Sequence, residues 1–441
     1  MGVMGMIRNL PNNCADTFWR YYTGDVVVPK RAWWYVHRTF FYYDQLLLRI
    51  RKCNNARRRL KTGFRPASQM EMDRENNPRF PYFEAMTESN SVNFMDRRNR
   101  RKKIEPDDEF VDLNSSGWRD VPRDHPKVVE MREEILEKNG MKDLVICAPS
   151  ELQRAADLFY KDGFVVIRDV LNAEQLEKLR KGCEEVMTAI VKKDKHRRGN
   201  RGSHRYTFSA PFRHNSMLHH PAWVQLVDLP TLTPILQRIF DSPDYLCYGA
   251  GGDFSLPGTV FSQPLHTEIG DRFVYQEPGT GDLVSHGSFR DPRGIMTLRD
   301  LPCPSIACNF FPHDQTVLDG PTRQVRGTQH WNGPSPGLHV EPDSMKYSTV
   351  CPVPAGAVIL RDVRAWHGGT PNISERVRAI PAVYYHAPWY REIPKGGPAM
   401  PRDVYEDKSV TTEYARYILR QVVADPGEHV DTSMRDDIGS Y

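Results

Sequence analysis

Eight cysteines are scattered over 441 residues, and no two of them form a Cys-x-x-Cys pair. Such spacing indicates neither a disulfide scaffold nor a thiolate zinc site, and makes a reducing compartment the expectation. No apolar run approaches the roughly 20 residues that span a bilayer, and the opening residues show no secretory signal pattern. Met1-Gly2 begins like a myristoylation motif, but position 6 is Met6 where Ser or Thr is needed, so that motif fails. These absences lead to the expectation of an intracellular chain, cytoplasmic by default, with mitochondrial or peripheral membrane association as alternatives. Apolar residues make up 39% of the chain, enough for a core but low for its length.

Charge is present but unevenly placed. Residues 1–65 hold thirteen Lys and Arg against Asp16, Asp25 and Asp44, which nets +10 and leaves −6 for the remainder of a chain whose total is +4. Within that basic stretch, residues 30–52 (KRAWWYVHRTFFYYDQLLLRIRK) place Arg31, Arg38, Gln45, Arg49 and Lys52 along one helical stripe. Trp, Tyr, Phe and Leu fill the rest. A helix of this kind lies in a membrane interface or packs against protein, and burial against the body or a partner subunit is the commoner outcome. Residues 53–125 are polar and irregular and read as linker or surface-wrapping chain. No recognised nucleic-acid module accompanies the basic patches, so no specific nucleic-acid partner is expected.

The texture changes at about Pro149. A helical pattern runs to Tyr160 with Leu152, Ala155, Leu158 and Phe159 on one side, and Gly163–Ile167 reads as a strand. Asn172 caps a second helix, with Gln175 at the box position. Short strand-like runs follow at 258–268, 305–311, 322–325, 357–360 and 379–385, separated by Gly and Pro turns, and point to an antiparallel sandwich or barrel. The Thr412–Val423 stretch looks helical. The expected organisation is an extension over 1–145, a β-rich body over 146–395 and a tail over 396–441.

His266 and Glu268, in Pro264-Leu265-His266-Thr267-Glu268, lie two apart, which puts both side chains on one side of an extended strand. His367 follows a strand and turn at Ala357–Asp362. Two imidazoles and a carboxylate cap one face of a ferrous ion and leave open positions. Arg378, on the next strand, offers a guanidinium to a carboxylate. Asn309 sits before a turn as a substrate-pocket candidate. The pairs His219-His220 and the isolated His204, His214 and His286 lack acidic or thiol partners at ligand spacing and read as surface or core histidines.

Four blocks resemble the phytanoyl-CoA dioxygenase-like iron(II)/2-oxoglutarate oxygenases. They are Asp162–Leu171, Pro257–Glu268, Asp319–Trp331 and His367–Ile380, which together span roughly residues 150–392. The resemblance implies a double-stranded β-helix, a jelly roll of the cupin-like kind, mainly β with flanking helices. It implies His266, Glu268 and His367 as ligands of Fe(II), and 2-oxoglutarate and O2 as co-substrates. By the family's spacing Arg378 fits as the co-substrate's salt bridge, with Arg376 as close competitor and Gln263 and Thr322 as weaker contacts. The family usually carries Asp where this chain has Glu268. The expected activity is hydroxylation of a lipid-like or secondary-metabolite small molecule with release of succinate and CO2. The competing expectation is an inactive β-helix serving as a structural or docking subunit through residues 30–52.

Overall fold

The computed structural model describes residues 111–138, 140–209, 216–269, 273–276, 283–286, 293, 295–331, 341, 343–390, 398–430 and 432. The chain divides into two units between Pro78 and Arg79, and all described residues fall in the second. The basic aromatic segment 30–52 and much of the 271–304 insert lie outside them. No helix among the described residues is long and apolar enough to cross a membrane.

A seven-stranded sheet organises the body. Its strands are β1 (Ile146–Cys147), β2 (Phe164–Ile167), β3 (Arg205–Ser209), β4 (Leu246–Ser255), β7 (Ser305–Phe310), β9 (Val358–Asp362) and β11 (Arg378–His386), in the order β1-β2-β9-β7-β11-β4-β3. Only β1 and β2 run parallel. A hairpin of β5 (Phe273–Gln276) and β6 (Leu283–His286) stands apart. β8 (Thr322–Gln324) pairs with β10 (His367–Gly369) in a second small sheet. The expectation of a mainly β body holds only in part, because helices cover one whole face of the large sheet.

Alternation along the strands explains this layering. Val165, Ile167, Ile306, Cys308, Phe310, Val358, Leu360, Val383 and Tyr385 point to one face and form the main core. Against them pack α2 (Leu152–Asp162), through Ala155, Ala156 and Phe159, and α3 (Ala173–Lys193), through Leu179, Cys183, Val186 and Ile190. α3 starts as its sequence dictates: the Asn172 side chain accepts from Gln175 N and Gln175 answers to Asn172 N, a complete capping box. α2 ends at Gly163, which takes φ 81° and donates its N–H to Phe159 O. A Cβ there would meet Gln329 Oε1 at 2.5 Å, so both backbone and packing favour glycine.

Two elements differ from the sequence reading. The expected strand over 258–268 forms no ladder; it touches the rest through single bridges, Thr259 to Asn372 and His266 to His367. Pro257 precedes this stretch and Pro264 lies within it, and each lacks an N–H, which interrupts pairing. The helix expected over 412–423 is limited to Glu413–Leu419, with Thr412 as its cap. Residues 111–138, inside the expected extension, also join the body. Leu113 enters the main core, while Val121 and the helix Pro126–Lys138 bury Val128, Met131 and Ile135 against Val260, Val317 and Ile373.

Candidate metal and co-substrate site

The face of the large sheet turned away from the helices carries the polar chemistry, and cross-strand register sorts it into rows. One row runs Phe164, Arg361, Ala307, Tyr384, Gly249; the next runs Val166, Ile359, Asn309, Ala382, Gly251. A third row joins Ile380, Asp253 and Thr207, and a fourth joins Arg378, Ser255 and Arg205. Asn309 therefore faces the site side of the sheet, beside small neighbours.

Opposite this face stand the two segments that carry the histidines, the stretch around His266 and β10. His266 N donates to His367 O at 2.9 Å and His367 N to His266 O at 3.0 Å, so the two residues are direct antiparallel partners. Their ring centroids lie 4.3 Å apart. Glu268 N donates to Val363 O at 2.9 Å, which fixes the carboxylate residue beside the turn leading into β10. One ligand atom from each of His266, Glu268 and His367 falls within 4.8 Å of the others, and no other such group occurs among the described residues.

The donor set fits a divalent metal. His266 Nδ1 lies 2.8 Å from Pro264 O and His367 Nδ1 lies 3.1 Å from Ala365 O. At His266 the Nδ1–H given to Pro264 O leaves Nε2 its lone pair; His367 Nδ1 also faces an Arg361 guanidinium nitrogen at 3.0 Å, so its proton belongs on Nδ1, toward Ala365 O, when Nε2 serves a metal. Burial, followed by the charge of Arg361, pushes the His367 pKa down to about 3, so this imidazole is neutral. Burial would raise the Glu268 carboxyl, but the hydrogen bond to His367 and the charge of Arg361 outweigh it and hold the group well below the usual carboxylate range. Two imidazoles and a carboxylate, converging on one point, are a ligand set for a borderline metal such as Fe(II).

A second feature lies in the row of Arg378. This guanidinium is 6% exposed, makes no hydrogen bond or ion pair among the described residues, and its Nε is buried without a partner. Its neighbour Ser255 is fully buried with an unpartnered Oγ. Arg205 gives NH2 to Thr370 O at 2.7 Å and to Phe261 O at 3.1 Å, and its NH1 lies against Gly369, where a Cβ would come within 2.2 Å. Burial, then mutual repulsion with Arg378, lowers the Arg205 pKa to about 9; burial lowers that of Arg378 to about 10. Gly369 lies two residues from His367, roughly 7 Å along an extended strand. Arg205, in the same row as Arg378, thus brings positive charge against Gly369, two residues from His367.

The pattern of residues 159–380 matches that of the phytanoyl-CoA dioxygenase (PhyH) family over half of the chain. The chain belongs to the phytanoyl-CoA dioxygenase family. It is therefore a member of the iron(II)/2-oxoglutarate-dependent oxygenases, with His266, Glu268 and His367 as candidate triad. Among solved structures it is similar to the non-heme alpha ketoglutarate dependent epimerase SnoN from nogalamycin biosynthesis, with 14% identity, 54% of this chain and 81% of that chain covered, and a TM-score of 0.39. It is also similar to HygX from Streptomyces hygroscopicus with nickel, 2-oxoglutarate and hygromycin B bound, at 16% identity, 54% and 89% coverage and a TM-score of 0.38. AviO1 from Streptomyces viridochromogenes Tue57 shares 18% identity over 55% of this chain and 98% of that one, with a TM-score of 0.35.

Within this phytanoyl-CoA dioxygenase family member, the remaining sequence candidates separate by their partners. Arg376 is half exposed, with 53% of its side chain accessible, and is taken up by Asp319 at 2.8 Å, although it lines the same cavity as Arg378. The two residues lie two apart, but Arg376 precedes β11 and escapes its alternation. Gln263 spends its amide oxygen on Gly369 N at 2.9 Å and holds the histidine segment against β10. Thr322 stands opposite Gly369, two pairs along from Gln324 and His367. Sequence reasoning missed Arg205, Ser255 and Arg361, because β3 and β4 carry weak strand signals and only register shows which residues share a row. It also missed the brace behind the triad. Arg364 pairs bidentately with Asp362 at 3.0 and 2.7 Å and gives NH1 to Leu298 O and Leu301 O, with both side chains 2% exposed. This fastens the turn between β9 and β10, and hence His367.

Proposed function

We propose that the protein is a hydroxylase of a lipid-like or secondary-metabolite small molecule, built as a double-stranded β-helix with His266, Glu268 and His367 as the iron ligands. The convergence of those three ligand atoms within 4.8 Å, from segments about a hundred residues apart in a member of this family, carries the reading. The facing arrangement of the large sheet and the β8–β10 layer supports the β-helix. Iron, 2-oxoglutarate and dioxygen supply the oxidation when bound, with succinate and CO2 as co-products.

The chain's own residues do the rest. Arg378 binds the distal carboxylate of 2-oxoglutarate through its free donors, and the Ser255 hydroxyl adds a further donor. Arg205 reinforces the positive field from the neighbouring strand. Low-dielectric surroundings make these charge-assisted contacts strong, and the neutral state of His367 keeps its nitrogen available to metal. Asn309, between Ile359 and Ala382 on the site face, borders the substrate. His367 turned toward Glu268, and not away from it, counts against the reading of an inactive scaffold.

The test is anaerobic addition of Fe(II) and 2-oxoglutarate to the full chain, followed by air. A metal-to-ligand absorption band that appears only with both, and succinate formation even without substrate, are the expected results. Neither band nor succinate from a folded protein would end the proposal.

A further inference from the structure

We infer that Arg361 is a positioning residue that makes Glu268 usable as a metal ligand, an inference that rests on reading His266, Glu268 and His367 as a metal site. Glutamate carries its carboxylate one methylene farther from the backbone than aspartate, with one more rotatable bond to fix. Loss of that fixation is costly, because a site that is about 1 Å too loose fails as a site. Arg361 lies on β9, a strand to which neither Glu268 nor His367 belongs, and its side chain is 5% exposed. Its NH2 lies 3.1 Å from Glu268 Oε1 and its NH1 lies 3.0 Å from His367 Nδ1. Glu268 Oε1 in turn lies 3.2 Å from His367 Nε2.

One planar fork therefore spans both ligand segments at fixed geometry, something an ammonium on a flexible stem does poorly. The Glu268 side chain is one-third exposed, and among the described residues Arg361 and His367 are its only side-chain partners. A guanidinium has donors only, so its NH1 and the Ala365 carbonyl place opposite demands on His367 Nδ1. When Nε2 serves a metal, the proton sits on Nδ1 and goes to Ala365 O. Arg361 then acts on Glu268 alone. Aspartate at position 268 would end a methylene short of the fork, so the identity of residue 268 and the presence of Arg361 are coupled.

The coupling is measured by titrating cobalt(II), as a visible stand-in for iron(II), into the full-length protein and recording calorimetric affinity and ligand-field absorption. Arg361→Gln should weaken cobalt binding about tenfold or more, the size usual for residues that orient metal ligands, and should shift the absorption bands. Arg361→Lys, which keeps the charge, should weaken it less. In a Glu268→Asp background, Arg361→Gln should change the affinity by under about twofold, because the two sites then no longer touch. Equal or tighter cobalt binding by Arg361→Gln with an unchanged spectrum would overturn the inference, as would an equal loss in both backgrounds. Should Arg361→Gln not fold, the Arg361→Lys comparison in the two backgrounds decides by the same criterion. Failure of the parent protein to bind cobalt would instead sink the metal-site reading itself.

Discussion

Replacing Arg378 with methionine should have two effects of opposite sign. Arg378 is buried, unpartnered among the described residues, and burial pushes its pKa down from the ordinary guanidinium range to about 10. At roughly 1.4 kcal/mol per pH unit, the fold disfavours that charge by about 3 kcal/mol relative to water. Replacing a poorly compensated buried charge by an apolar side chain of similar length should thus stabilise the ligand-free protein by about 1–3 kcal/mol. The same change should destroy the anchor for 2-oxoglutarate. Loss of one partner of a buried charge pair costs about 2–5 kcal/mol, a loss of affinity of about thirtyfold to several thousandfold. Thermal unfolding with and without 2-oxoglutarate, at saturating manganese and no oxygen, reads both effects at once. The parent should gain stability from the co-substrate, about 2.7 kcal/mol at a hundred times its Kd. Arg378→Met should start higher and gain nothing. Arg376→Met, which removes the half-exposed partner of buried Asp319, should keep the parent's response to 2-oxoglutarate. A variant of Arg378 that is less stable without ligand, or that still responds to 2-oxoglutarate, would refute the assignment of this side chain as an anchor kept unpaired for a ligand.

Two further outcomes follow from other parts of the body. Arg364→Met leaves Asp362 charged and buried behind the triad and frees two backbone carbonyls; it should cost about 3–5 kcal/mol, seen in the urea midpoint, whereas Arg154→Met, at an exposed side chain, should change stability by less than about 0.5 kcal/mol. His386 is 7% exposed, stacks on Tyr248 with ring centroids 3.5 Å apart, and is driven by burial from 6.5 to about 3. The folded protein therefore refuses a proton that the unfolded chain accepts below about pH 6.5. Stability should fall as pH drops from there toward 3, by roughly 1.4 kcal/mol per pH unit for this residue. His386→Gln should flatten the slope of unfolding free energy between pH 6.5 and 5 by about that amount, and equal slopes would remove His386 from the account.

How much could be read from the sequence differs by the kind of signal. Local patterns were legible. The Asn172–Gln175 box, the apolar side of α2 and the short apolar runs at 305–310 and 358–362 depend on near neighbours, and each forms where its residues predict. The triad was legible as residue types at a spacing, and its segments come together as antiparallel partners. The stretch 258–268 was not legible as it stands, since two prolines prevent the ladder that its apolar content suggests.

Direction and register were decided only in three dimensions. Arg376 and Arg378 are equivalent as letters two apart, yet one, half exposed, pairs with Asp319 and the other lies buried beside Ser255. Ser255 and Arg205 are distant from Arg378 in sequence and share its row because β4 stands between β3 and β11. Arg361 reaches the triad because β9 presents it on the site face. Sequence by itself determined the chemical groups and their spacing, because those are covalent facts. Tertiary structure alone decided which guanidinium is left without a partner and which one grips Glu268, because pairing across a sheet is set by strand order and register and not by distance along the chain.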